Sequence, residues 1–165
     1  MRAFVVFGPE STGTRLLTQI LISAGCLGDG GHEQRFDHRI PAPEEVDADI
    51  VWRRSVPHFE EEMMPHLDTM AERLMGYDLT VLVTTRALYP VARSQMRHRD
   101  HLKTLEQAYA RIRAGYAHTF EQVAGYDFIV VPYESLPQTH RKLCEILDLN
   151  EPSVDIYDGN AKYFP

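Results

Sequence analysis

At 165 residues the chain suits one compact domain with a sizeable core, and it is read as a single domain over 1–165. Hydrophobic residues at 44% and charged residues at 25% exclude wholesale disorder, and a net charge of −7 argues against non-specific nucleic-acid or anionic-membrane partners. Cys26 and Cys144 make neither a metal spacing nor a disulfide framework, and no run is apolar enough for a signal peptide or a bilayer span. The expectation is a soluble, cytoplasmic protein.

The first element is "AFVVFG" over 3–8, a short β-branched and aromatic run bounded by Gly-Pro, which predicts a buried strand. From Thr14 to Ala24 the apolar residues Leu16, Leu17, Ile20, Leu21 and Ala24 follow helical spacing, and Gly25 stops the helix. Residues 29–47 read as a long loop, a length that in a compact domain is more often functional than idle. A second strand is predicted over 49–55, a helix over 60–76, and the strongest strand over 77–86.

Helices follow over 88–98 and about 102–124, the longer carrying the stripe Leu105, Tyr109, Ile112, Tyr116, Phe120 and Val123, which predicts core packing. A strand over 126–133 and a helix within 135–149 complete the pattern. Strands alternating with helices predict a three-layer α/β/α fold with a central parallel sheet, of the P-loop NTPase kind. Ligands of such sheets bind beyond the carboxyl ends of the strands.

At that position lies "FGPESTGTRLL" over 7–17, a strand, a glycine-bracketed turn and a helix N-terminus. Successive N–H groups converge there on an anion, and the helix dipole favours its charge. Gly8 and Gly13 stand at the G-x-x-x-x-G spacing of a phosphate loop, but Thr14 and Arg15 replace the Lys and Ser/Thr that serve a nucleotide–magnesium complex. An ordinary kinase or ATPase is disfavoured. Farther along, Arg86 ends the strongest strand and Ser94 follows eight residues later on the next helix, so the two can close on one anion.

Together, "STGTRLL" and "RALYPVARS" resemble the two cofactor motifs of sulfotransferases that use 3′-phosphoadenosine 5′-phosphosulfate, in the same order. "YESL" over 133–136 is similar to a Tyr-Glu-x-Leu segment of that family. The resemblance implies that Ser11, Thr12, Gly13, Thr14 and Arg15 hold the 5′-phosphosulfate, that Arg86 and Ser94 hold the 3′-phosphate, and that Tyr133 joins them. It implies sulfuryl transfer to a hydroxyl or amine of a small acceptor, without a metal. The family's loop lysine is replaced by Ser11, preceded by Glu10.

Other groups must then supply charge and proton transfer. Arg53 and Arg54 point to opposite faces of their strand, and His58 follows it where the resemblance implies a catalytic base. Lys162, in the tail "DGNAKYFP", is a candidate to fold back over the loop. The expected catalytic set is His58, Arg54 and Lys162. His32, Glu33 and His38 lack any recognisable metal-ligand spacing, and an acceptor lid is the better reading of their loop. Two other readings stay open: a P-loop phosphotransferase of the nucleoside or nucleotide kinase type, and a non-catalytic nucleotide-binding protein.

Overall fold

Phe4 and Val6 leave one face of the first strand while Ala3, Val5 and Phe7 leave the other, and all five are buried. A strand buried on both faces needs helices on both sides. The computed structural model describes residues 1–28, 36, 39–57 and 64–163. Its strands are β1 (Arg2–Pro9), β2 (Leu27–Gly28), β3 (Ile50–Val56), β4 (Asp78–Thr85) and β5 (Phe128–Pro132). The helices are α1 (Thr14–Ser23), α2 (Leu67–Arg73), α3 (Leu88–His98), α4 (Leu105–Val123) and α5 (Leu136–Ile146). All pairings are parallel, in the order β2-β3-β1-β4-β5.

The fold is α/β, with a five-stranded parallel sheet flanked by helices. Leu17, Ile20 and Leu21 of α1 and Leu143 and Cys144 of α5 pack on the face carrying Phe4, Val6, Val51, Leu82 and Val131. Leu67 and Met70 of α2 and Val123 of α4 cover the opposite face, with Val5, Phe7, Trp52, Val81 and Val83. Because β1 lies between β3 and β4, its carboxyl end opens at the point where the strand order reverses. That is where the loop after β1 sits.

Two expectations need correction. The predicted stripe of α4 packs in the core except at one end: Ile112 and Val123 are fully buried and Leu105, Tyr109 and Tyr116 pack against Val91, Ala92 and Ala108, but Phe120 is 43% exposed, and Ala108, Gly115 and Thr119 belong to the buried face as well. Small residues line that face because the helix lies close to the loop. A Cβ on Gly115 would stand 3.0 Å from the Val56 carbonyl and 3.4 Å from Pro9 Cβ. The helix expected over 60–76 is observed only as Leu67–Arg73, and residues 58–63 lie outside the described residues. The two-residue strand β2 is too short for a period-two pattern and falls beside the expected loop.

Candidate functional site

The loop after β1 is built by unusual backbone. Ser11 adopts φ 70° and Gly13 φ 104°, both left-handed, and Gly13 is the N-cap of α1 with no side-chain cap. Only glycine fits the second position comfortably, because an added Cβ would lie 2.6 Å from Tyr133 Cδ2. Gly8 is pressed equally hard: its Cβ would stand 2.6 Å from Thr84 Oγ1. The Thr12 hydroxyl bonds to the Pro9 carbonyl at 2.6 Å and faces Thr84 Oγ1 at 2.6 Å, which staples the turn to β4. Thr14 Oγ1 lies 3.1 Å from Ser55 Oγ and ties α1 to β3.

The loop turns its carbonyls inward. Pro9 O accepts from Thr12 N–H, Glu10 O from Gln95 Nε2, Ser11 O from Arg86, and Gly13 O from Leu17 N–H. The N–H groups of Ser11, Gly13, Thr14 and Arg15 find no acceptor among the described residues. Four donors without a described acceptor at a helix N-terminus, with Ser11 and Gly13 left-handed, suit an anion nest. Arg15 is itself exposed, at the first turn of α1.

Arg86 closes one side of this nest. Its guanidinium lies 4.0 Å over the Tyr133 ring, donates to Ser11 O at 3.0 Å, and donates from Nε to Asn160 Oδ1 at 2.7 Å. Tyr116 OH accepts from the Arg86 amide at 2.9 Å and donates to its carbonyl at 3.2 Å, fixing the strand end. Burial, the main influence, pushes the Tyr116 phenol up, so it stays protonated for this double role. The Glu134 carboxylate accepts from Ala87 N–H and from Asn160 Nδ2. The tail is thereby sewn to both motif segments.

Ser94 is buried on α3, near the Tyr163 phenol, whose ring centre is 5.7 Å from the Arg86 guanidinium carbon. Burial opposes ionisation of Tyr163, but Ser94, Lys162 and Arg86 outweigh it and bring the phenol below its usual range. The structure thus brings Arg86, Ser94 and Tyr133 together around the tail, alongside Ser11, Thr12, Gly13, Thr14 and Arg15. Lys162 is exposed, with Nζ 5.0 Å from the Tyr163 ring centre. It lines a cavity of about 400 Å³ with Arg93, Met96, Arg97 and Tyr163.

The remaining catalytic candidates separate. Arg54 lies 4.6 Å over the Trp52 ring, on the sheet face carrying Trp52 and Val56, and donates to the Arg53 carbonyl. Strand alternation gives the α1 face to Arg53, which shares it with Ser55 beside the loop. His58, His32, Glu33 and His38 lie outside the described residues.

Glu10, set just before the nest, does not face it as an unbalanced charge. Its carboxylate accepts from Arg99 at 2.7 Å and from Arg111 at 3.3 Å. Sequence reasoning missed Arg99, Arg111, Gln95, Tyr116, Glu134 and Asn160. Each acts through a partner 30 or more residues away, including Glu134, which sits inside the quoted "YESL" but accepts from Ala87, 47 residues distant.

The fold is an α/β architecture with a parallel sheet, of a kind found among sulfotransferase domains. Among solved structures, the chain is similar to the sulfotransferase domain of the Synechococcus PCC 7002 olefin synthase. The two are 14% identical with a TM-score of 0.50, over 99% of this chain and 77% of that one. No protein-family model and no curated protein matches the chain. Among the described residues no helix is long and apolar enough to cross a membrane.

Proposed function

We infer that the chain is a sulfotransferase using 3′-phosphoadenosine 5′-phosphosulfate, with a hydroxyl or amine of a small molecule as acceptor. The observation that carries this reading is the nest itself. Four N–H groups are left without an acceptor among the described residues, in a loop that has no lysine and no magnesium-binding hydroxyl at the usual place. Such a site suits a 5′-phosphosulfate better than a triphosphate–magnesium complex, since donors alone must balance the charge.

When bound, the donor supplies an activated sulfuryl group on a phosphate leaving group. The chain's own part is to hold and orient it. Ser11, Thr12, Gly13, Thr14 and Arg15 would take the 5′ end, with Arg86 and Ser94 at the 3′-phosphate. Tyr133 lies against Gly13 and beneath Arg86, and so would set the distance between the two anion sites. Arg15, Arg53 and Lys162 are the cations proposed for the leaving-group oxygen, and His58 is the proposed base on the acceptor side. The tail 158–163 acts as a lid that orders Arg86.

Incubation with donor labelled in the sulfuryl group, against a panel of hydroxyl and amine acceptors, tests this. Transfer of label that survives a chelator supports the reading. Absence of transfer with retained binding of adenosine 3′,5′-bisphosphate favours the binding-only alternative.

A further inference from the structure

The loop presents a contradiction that the fold resolves: an anion site is entered by a glutamate. Glu10 immediately precedes the left-handed Ser11, and its carboxylate is about one-fifth exposed, so it is neither in the nest nor free in solvent. Three elements converge on it. Arg99, the residue capping α3, places Nε 3.1 and 3.2 Å and a terminal nitrogen 2.7 Å from the carboxylate oxygens. Arg111 of α4 adds a contact at 3.3 Å, and its side chain is only 10% exposed. Gln95 of α3 donates to the Glu10 carbonyl at 2.9 Å, while the Glu10 amide donates to Val56 O of β3 at 3.0 Å. Every polar group of Glu10 is engaged.

Two arginines meet the Glu10 carboxylate here in a partly buried setting, where screening is weak. The same contacts fix the residue on which the direction of the Ser11 and Gly13 N–H groups depends.

We propose that Glu10, Arg99 and Arg111 form a positioning clamp: the two arginines hold Glu10, and through it the phosphate loop, in the geometry that presents the Ser11 and Gly13 N–H groups. The proposal rests on the functional reading above for the identity of the ligand. It does not rest on that reading for the clamp itself. Arg99 and Arg111 are positioning residues and need not touch the ligand.

A clamp and a plain charge predict opposite signs for one substitution. Glu10→Gln removes a negative charge next to an anion site. If Glu10 acted only through its charge, adenosine 3′,5′-bisphosphate would bind more tightly. Released from the clamp, the loop loses its preorganised N–H groups and binding weakens, by about fivefold. The double variant Arg99→Gln/Arg111→Gln weakens binding about tenfold or more, and Glu10→Gln adds nothing on that background, because the three act as one unit.

Calorimetry with adenosine 3′,5′-bisphosphate reads these affinities. Amide hydrogen exchange of residues 11–15 in the ligand-free protein reads the clamp separately, and Glu10→Gln should speed it. Failure of the wild type to bind the nucleotide defeats the functional reading, and the exchange data then decide the clamp alone. Unchanged exchange in Glu10→Gln, or tighter nucleotide binding by it, overturns the proposal. Should Glu10→Gln not fold, Arg99→Gln carries the same two measurements, with the same outcomes expected.

Discussion

Arg86 donates from Nε to the side-chain oxygen of Asn160 at 2.7 Å, across 74 residues of sequence. Asn160 is 6% exposed, and its amide nitrogen donates to Glu134. One side chain therefore holds the cation of one motif and the carboxylate of another. Asn160→Ala should loosen the tail and lower adenosine 3′,5′-bisphosphate affinity by about 1–2 kcal/mol, the worth of lost charge-assisted hydrogen bonds. Calorimetry, with carboxypeptidase sensitivity of the tail as a second reading, checks it.

Arg86 should read the 3′ position. Arg86→Ala is expected to cost about 2–3 kcal/mol in adenosine 3′,5′-bisphosphate binding and almost nothing with adenosine 5′-phosphate. Equal losses for both ligands would show that the guanidinium only props the loop through Ser11.

Gly13 is constrained twice, by φ 104° and by the ring of Tyr133 2.6 Å from any added Cβ. Gly13→Ala should therefore destabilise the protein by about 2 kcal/mol in urea unfolding. Combining it with Tyr133→Ala should remove the steric share and leave the backbone share of about 1 kcal/mol. Full additivity of the two substitutions would mean that the contact does not matter.

At the opposite end of the sheet, Asp49 accepts from the Arg2 amide at 2.7 Å and from its guanidinium at 2.9 Å. Burial disfavours its charge, but these bonds outweigh burial and hold the carboxyl below its ordinary range. A depressed folded pKa gives a contribution that is complete above the unfolded value of about 3.9 and is lost as pH falls through the folded value. Asp49→Asn should then be less stable than wild type by about 1–2 kcal/mol at neutral pH, with the gap closing below about pH 3.9. Denaturant melts across that range measure the gap.

The sheet was legible because β1 and β4 are apolar runs buried on both faces, and the anion loop because its glycines sit at fixed spacing. The places of Arg86, just past a strand end, and of Ser94, on the next helix, were legible, while their joint role toward an anion belongs to the proposed function. The stripe of α4 was legible except at Phe120, while the small residues Ala108, Gly115 and Thr119 of the buried face and the hydroxyl bond of Tyr116 to Arg86 were not, since neither leaves a mark in apolar spacing. The role of Glu10 was hidden, since its partners lie 89 and 101 residues away and no local pattern joins them. Arg54 was favoured over Arg53 without grounds, because period two separates their faces but does not say which one looks toward the loop.

The central claim is that this loop serves a 3′-phosphorylated adenine nucleotide without a metal. Titration of the wild-type protein in a chelating buffer with adenosine 3′,5′-bisphosphate, set against ATP with magnesium, tests it most directly. The account predicts saturable binding of the bisphosphate at micromolar concentration, about −8 kcal/mol, and binding of ATP–magnesium at least tenfold weaker. Preference for ATP–magnesium, with no binding of the bisphosphate, would contradict it and return the chain to the phosphotransferases.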